Sequence, residues 1–417
     1  MSVGLIERLL KRIQGHVGAE ASRRDVASAQ KMARHILYIQ FTDPAAYPPL
    51  EHSSRLLADR GWEVLFLGTA THGELPLRLP THPGIRVKKI QFVQGGWRQK
   101  AQYILFFFMT LYWTWWWRPE WIYASDPLAC PVVWLVQKIL NIHVVYHEHD
   151  SPNPDLMESW FMREVFAFRG RLARDAEVCI LPEQGRLLQL LETTRRTKPV
   201  FCVWNCPRLR ELADLDLDQE HGDQDQKLII YYHGSITDSR LPTQLIVAAS
   251  RLKGAVRMRV AGYETAESIG YIKKLIDLAA KNGAAEMIEP LGTIPLRRDL
   301  LRSASRAHVG LSFMPKKSED INMQHMVGAS NKPFDYMACG LPLLVTDLPE
   351  WVRTFVEPGY ARACDPDNPD SIEAELRWYV EHPEERREMG RRGQNKVRQT
   401  WNYESMFSDV LAEIERG

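Results

Sequence analysis

The chain has 417 residues, with 53 Lys and Arg against 52 Asp and Glu, a formal charge of +1, and 45% hydrophobic content. This balance excludes a general electrostatic affinity for nucleic acid, and the length exceeds what one hydrophobic core organises, so two domains are expected. Six cysteines (Cys130, Cys179, Cys202, Cys206, Cys339 and Cys364) are scattered through the chain. Glu7, Arg8, Lys11 and Arg12 interrupt the first apolar residues, which argues against a secretory signal and for reduced thiols in the cytosol. Cys202 and Cys206 lack a second Cys/His pair at zinc spacing, so no metal and no resident cofactor are expected.

In chain order, residues 1–32 read as an amphipathic and polar extension. Leu5, Ile6, Leu9, Leu10, Ile13 and Val17 recur at helical spacing opposite the charges just named. From residue 33 to 207 apolar runs alternate with helical stretches: HILYIQF, LEHSSRLLADRG and WEVLFLG, with Gly61 placed where a helix should end, then EWIYAS, PLACPVVWLVQKILN, HVVYHEHD, AEVCILP, EQGRLLQLLETT and PVFCVWN. Such alternation predicts an α/β fold with a parallel sheet covered by helices. Residues 208–227 turn acidic from Leu212 and lose apolar periodicity, which predicts a linker. A second α/β series fills 228–395 with LIIYYHGS, VRMRVAGY, a helix around Ile269 to Ala280, AEMIEPLG, LRRDLLRSA and AHVGLSFMP, and 396–417 read as a helix packing back on the first domain. Two tandem Rossmann-like domains facing a cleft are the expected fold.

Residues 102–117, QYILFFFMTLYWTWWW, carry no charge but fall short of the roughly 20 apolar residues of a spanning helix. A helix apolar on every side is either buried all round or in contact with lipid. One sheet covers only one face, so Phe106, Phe107, Phe108, Trp113, Trp115, Trp116 and Trp117 cannot all point inward. Residues 103–117 are therefore expected to make a peripheral membrane contact, with a homodimer interface as the alternative.

The stretch SNKPFDYMACGLPLLVTD, Ser330 to Asp347, carries most of the chemistry. Pro333 suits a first helical turn with Ser330 or Asn331 as N-cap, and Gly340 with Pro342 ends the helix before a strand. Lys332 and Asp335 then stand at a helix N-terminus, where free amides and the dipole favour phosphate. Lys332 suits a diphosphate and Asp335 suits vicinal hydroxyls such as those of a ribose.

These residues resemble the nucleotide-sugar motif of the retaining glycosyltransferases of family four, which have the two-Rossmann-domain, GT-B type fold. The likeness extends to YYHGSITDSRLP, VRMRVAGY, IEPLGTIPLRRDLL and VFCVWNCP, in the family's order. The resemblance implies transfer of a sugar from a nucleotide-sugar donor to a glycan or lipid-linked acceptor, with retention of configuration, in polysaccharide or glycolipid synthesis on the cytoplasmic face of a membrane. It places Asp335 on the ribose, Lys332 with Asn331 near the donor phosphates, and Arg240, beside Gly234 and Ser235, on the diphosphate. It places the backbone of Leu291, Gly292, Thr293 and Ile294 against the base and His149 near the transferred sugar, with His147 competing for that role. His149, Arg240 and Lys332 are thereby the expected catalytic set. Departures concern the sugar. Val327 occupies the position of the family's first glutamate, Ser235 that of a common arginine, Asp335 replaces a glutamate, and TDPAAYPPL lacks paired glycines; Glu319 and Asp320 are the nearest substitutes for the lost acid.

Breaking the bond from anomeric carbon to phosphate places charge on the leaving diphosphate, which fixed cations and helix-terminal amides stabilise without a metal. Three other readings are set against this one. A metal-dependent hydrolase would use His147, His149 and Asp150, though no HExxH is present. A nicotinamide oxidoreductase would need a GxGxxG that follows neither domain's first strand. A degenerate transferase scaffold acting as a binding protein is consistent with Val327.

Overall fold

The computed structural model describes residues 34–70, 79, 81–91, 93, 96–152, 159–213, 215 and 227–417. The N-terminal amphipathic extension and most of the acidic linker, including Asp214 and Asp216 to Asp218, lie outside the described residues.

The first half contains β1 (Arg34–Ile39), α1 (Pro48–Asp59), β2 (Trp62–Thr69), β3 (Ile85–Ile90), α2 (Trp97–Trp117), β4 (Trp121–Ala124), α3 (Cys130–Leu140), β5 (His143–His147), α4 (Trp160–Asp175), β6 (Val178–Leu181), α5 (Gln184–Thr194) and β7 (Val200–Cys202). After α6 (Leu209–Ala213) the second half contains β8 (Leu228–Ile236), α7 (Thr243–Ser250), β9 (Val256–Glu264), α8 (Tyr271–Lys281), β10 (Ile288–Gly292), α9 (Arg297–Ala304), β11 (Val309–Ser312), α10 (Ile321–Gln324), α11 (Asn331–Ala338), β12 (Leu343–Thr346), β13 (Ala361–Cys364), α12 (Pro369–Glu381), α13 (Pro383–Gln399) and α14 (Ser408–Arg416). The sheets run β3-β2-β1-β4-β5-β6-β7 and β10-β9-β8-β11-β12-β13, and every paired strand is parallel. The α/β expectation is borne out. Strands covered on both faces read as unbroken apolar runs, and Ile36 to Ile39, Trp121 to Ala124 and Leu343 to Val345 are buried without alternation.

Helix α2 is one continuous helix of 21 residues, and among the described residues no helix is long and apolar enough to cross a membrane. Its inward face is Gln102, Phe106, Thr110, Thr114 and Trp117, three of them polar. Gln102 donates to the Gln91 carbonyl at 2.5 Å, Thr114 donates to the Thr110 carbonyl at 2.8 Å, and Trp117 stacks on His35. Outward, Trp97, Ile104, Leu105, Phe108, Tyr112, Trp115 and Trp116 are exposed, between 54% and 75%. The division expected for this run is present, with Phe106 and Trp117 inside, Phe107 and Trp113 half-buried, and Phe108, Trp115 and Trp116 outside.

Two segments tie the halves together. Linker residues Leu212 and Leu215 are buried against the core of the second half. Tyr403, Phe407, Val410, Leu411 and Ile414 close the N-terminal sheet, packing with Ile36, Tyr38, Trp62 and Tyr123. The chain thus crosses between the halves twice.

Candidate active site

In each sheet the strand order reverses beside the first strand, between β1 and β4 and between β8 and β11. Ligands of open parallel sheets bind beyond the carboxyl ends of the strands at such points. In the second half, β8 ends in His233, Gly234 and Ser235. Gly234 has a φ of +120°, and a Cβ there would stand 3.0 Å from Lys332 Cε. At Gly262 on β9 a Cβ would lie 1.9 Å from the Gly234 carbonyl oxygen, so the two strand ends meet at backbone contact. Only glycine permits both features.

Helix α11 begins at this edge. Its N-cap is Ser330, whose side chain makes no capping bond, and the Asn331 Oδ1 atom is buried without a hydrogen-bond partner. Lys332 is half-buried, with its ammonium 5.8 Å from the Tyr232 ring centroid. Burial, then the charge of Arg240, push its pKa down to about 7 against the opposing pull of Asp335. Arg240 is buried; it donates to the Phe313 carbonyl at 3.2 Å and faces the sulfurs of Met314 and Met323. Thioethers are weak acceptors, and burial lowers the Arg240 pKa. Two cations, each held at an energetic disadvantage, therefore face one uncapped helix start.

Asp335 does not neutralise them. Its side chain has no exposed surface, and Arg297 grips it with Nη2 to Oδ1 at 2.6 Å and Nη1 to Oδ2 at 3.0 Å, while His233 Nε2 lies 3.3 Å from Oδ2. Burial opposes ionisation here, yet Arg297 and then His233 outweigh it and hold the carboxyl below the usual range. Arg297 continues to Glu211 of α6, with Nε to Oε1 at 2.5 Å, and His52 Nε2 of α1 stands 3.3 Å from Glu211 Oε2. Asp335, the residue expected on the ribose, thus anchors an ionic chain joining α11, α9, α6 and α1, and Arg297 is the group with which a ribose would have to share it. Arg297 and His233 escaped notice in the sequence because nothing local distinguishes Arg297 from its neighbour Arg298, or His233 from a histidine at a strand end.

Of the residues expected to receive the base, Gly292 (φ +67°) and Thr293 are exposed at the end of β10, Leu291 and Ile294 are half-buried, and Thr293 Oγ1 donates to the Gly262 carbonyl at 3.3 Å. Val327 is buried in the core of the second half. Glu319 is exposed, and Asp320 is occupied capping α10 through the Asn322 amide at 2.9 Å, so neither replaces the lost acid in this structure.

In the first half a cavity of about 210 Å³ opens beyond β1, β4 and β5. His149 lines it, stacked on Tyr47 at 4.9 Å, with a buried, unpartnered Nε2 and a pKa pushed down to about 3 by burial. His149 is thus a neutral imidazole with an unused polar atom. His147 is fully buried and its Nδ1 is bonded to the Tyr123 hydroxyl at 2.7 Å, which places it in the core rather than the cavity lining. Glu148 is saturated by Arg169 in two bonds of 2.6 Å, by the Tyr146 hydroxyl and by Ser151. Asp126 accepts from the Thr42 and Leu128 amides. Met162, Phe166 and Leu128 form the apolar wall, and Tyr103 of α2 donates to the Leu128 carbonyl at 3.0 Å. Among the described residues, His147, His149 and Asp150 do not converge as a metal site.

Arg186, almost completely buried, joins the halves; it donates to the carbonyls of His149 (2.9 Å), His325 (2.9 Å) and Asn322 (2.8 Å). Nothing in the helical pattern around it marked this role.

Comparison with known proteins gives a consistent result. The family model described as "Glycosyl transferase 4-like domain" matches residues 50–199, and "Glycosyl transferase-like" matches residues 243–412. No curated protein sequence matches the chain. The structure is similar to sucrose-phosphate synthase from Thermosynechococcus elongatus, with 14% identity and a TM-score of 0.67, covering 92% of this chain and 99% of that one. It is equally similar to Anabaena HepE in complex with UDP, with 14% identity and a TM-score of 0.67, covering 92% and 100%. A glycosyltransferase from Rickettsia africae follows at 10% identity and a TM-score of 0.66, covering 92% and 98%.

Proposed function

Because the chain belongs to the family-four glycosyltransferases with the two-Rossmann-domain fold, we propose that its second half holds a nucleotide-sugar donor and its first half a lipid-linked glycan acceptor, with transfer retaining the anomeric configuration. The observation that supports this most is the pairing of buried Arg240 with half-buried Lys332 in the first turn of uncapped α11, two cations near enough to act on each other and, among the described residues, without a carboxylate bound to either. A diphosphate satisfies both cations and the helix amides together. The bond from the sugar's anomeric carbon to the diphosphate oxygen breaks, its electron pair staying on the diphosphate, where the cations stabilise it. The acceptor oxygen bonds to that carbon and its proton passes to the departing diphosphate. In the cavity the carboxylates of Glu148 and Asp126 are both engaged in hydrogen bonds, and Asp150, the third carboxylate of the lining, is exposed and stands 3.9 Å from Arg186. His149, neutral and with Nε2 unused, suits a contact to the transferred sugar.

The acceptor class rests on α2. Its exposed aromatic face continues through the Tyr103–Phe161 contact to Phe161 and Trp160 of α4, and α4 supplies the cavity wall at Met162 and Phe166. An apolar surface leading to a cavity with a polar end suits a lipid-linked sugar, with the enzyme lying peripherally on the inner face of the membrane. Arg98 and Lys100 are the only charges in α2, which favours anionic lipid.

Two experiments test the reading. Saturation-transfer NMR with UDP, GDP, ADP and their common sugars, begun with UDP because HepE was solved with it, should give binding to one class; silence across the panel would reject the donor site. In liposome flotation the wild type should float with anionic vesicles and a Phe108, Trp115, Trp116→Ser variant should not. A wild type that stays with the soluble fraction as a stable dimer would assign the patch to self-association. Buried Val327 favours a second reading, a binding protein without turnover; a nucleotide sugar that binds yet is neither hydrolysed nor transferred would support it.

A further inference from the structure

Away from the cavity and the two cations, three metal-ligating side chains meet where the halves touch. Glu183 precedes α5 in the first half, His325 follows α10 in the second, and Glu350 lies in the short helix Pro349–Trp351 after β12. One ligand atom of each falls within 4.8 Å of the others, the one such grouping among the described residues. We propose that Glu183, His325 and Glu350 bind a divalent transition-metal ion, with zinc as the reference case, and that this ion ties the two halves together.

The geometry separates a metal from a proton. His325 Nδ1 is enclosed, has no hydrogen-bond partner, and stands 3.5 Å from Glu183 Oε2 and 3.9 Å from Glu350 Oε1. An N–H···O bond spans roughly 2.7–3.2 Å, so a proton on Nδ1 bridges neither carboxylate in this arrangement. Around a tetrahedral ion with bonds of about 2.1 Å, neighbouring ligand atoms stand about 3.4 Å apart, close to the 3.5 and 3.9 Å from His325 to the two carboxylates. One imidazole and two carboxylates, with the remaining positions left to water, form a donor set that zinc and its neighbours accept. The ring is also braced. It lies against Gly185, where a Cβ would come 2.3 Å from Nδ1, so a side chain at residue 185 would expel the imidazole. Glu183 is braced as well, since its Oε2 accepts the amides of Gly185 at 2.5 Å and of Arg186 at 3.4 Å.

The position fixes the consequence. The same junction carries Arg186 to the carbonyls of Asn322 and His325, and Ser151 and Asn322 exchange two bonds of 2.8 and 3.1 Å. These are polar contacts that opening the cleft would replace with water. A metal held by Glu183 on one side and by His325 and Glu350 on the other adds a bond that opening must break, so it favours the closed state without touching the reacting atoms.

The test uses the full chain, stripped with chelator and titrated with zinc by calorimetry, beside His325→Gln and Glu350→Gln. Glu183 is left intact because it caps α5. The wild type should bind one zinc at micromolar or tighter affinity, and each variant should lose about 100-fold or more. Zinc should also slow amide exchange about tenfold in residues 184–187 and 321–326 of the wild type. An absence of zinc uptake, or equal affinity in both variants, would overturn the site. Uptake that leaves exchange unchanged in both segments would overturn its role between the halves. Neither readout requires the donor to bind, so failure here is distinct from failure of the proposed function.

Discussion

Lys332 offers the most exacting check on the donor site, because its ammonium is held at a pKa of about 7 by burial and by Arg240. A bound diphosphate supplies the missing opposite charge, and an opposite charge within contact raises a pKa by about 1–3 units. Binding should therefore take up a proton wherever the free protein has lost it. At pH 8 the free lysine is about 90% neutral, so a rise of 1–3 units should bring in about 0.4 to 0.9 proton with the ligand; at pH 6 the figure should be close to 0.1. Affinity should fall by about tenfold per pH unit above 7 until the bound pKa is passed, about tenfold to a thousandfold in all. The diphosphate diester of a nucleotide sugar has no proton to exchange in this range, so the uptake belongs to the protein. Calorimetry with the nucleotide sugar that binds, in two buffers of different ionisation enthalpy, counts the protons directly. Lys332→Met should abolish the uptake and flatten the pH profile, while His233→Gln, which removes the other titratable neighbour of Asp335, should leave the uptake in place. The sign for folding is separate. The unfolded lysine binds a proton below about 10.4 and the folded one only below about 7, so stability should rise with pH between those values and be lowest below 7. Uptake near zero at pH 8 in the wild type, or undiminished in Lys332→Met, would refute both the pKa and the diphosphate contact.

Three further outcomes are expected. Arg297→Met leaves fully buried Asp335 and half-buried Glu211 without their guanidinium, and urea unfolding should show a loss of about 3–5 kcal/mol; a loss under 1 kcal/mol would mean the chain Asp335–Arg297–Glu211 carries little. His149→Ala should leave nucleotide affinity within about twofold while lowering turnover by tenfold or more, and normal turnover would return this residue to a packing role. Gly262→Ala drives a methyl group into the Gly234 carbonyl, so nucleotide affinity should fall even if thermal stability changes by only a few degrees.

The fold was legible because its signals are local. Runs such as VVYH and LLVT are buried on both faces and need no alternation, and Gly61 and Gly340 adopt the positive φ that ends a helix. The helix carrying Lys332 was legible for the same reason, since Ser330, Pro333 and Gly340 are near neighbours. The charge partners of Asp335 and Arg186 were not. Arg297 reaches Asp335 across 38 positions and Glu211 across 86, and Arg186 reaches Asn322 across 136. Charge partners at such separations leave no periodicity to read. In α2 the composition disclosed an apolar cylinder, but which side faced the sheet depended on Gln102, Thr110 and Thr114, polar residues that a pattern of burial would have placed outside.

The second crossing of the chain bears on how the protein is made. Tyr403 donates its hydroxyl to the Pro49 carbonyl across 354 positions, and Phe407, Val410, Leu411 and Ile414 cover the sheet wall of Ile36, Tyr38 and Tyr123. During vectorial synthesis that wall is complete in sequence yet uncovered while the whole second half is still emerging from the ribosome. The nascent first half then presents a sticky apolar face together with the aromatic side of α2, the conditions under which a chaperone or a membrane surface captures a growing chain. Expression of residues 34–207 alone should give an aggregating fragment, and adding residues 400–417 in trans as a peptide should restore its solubility.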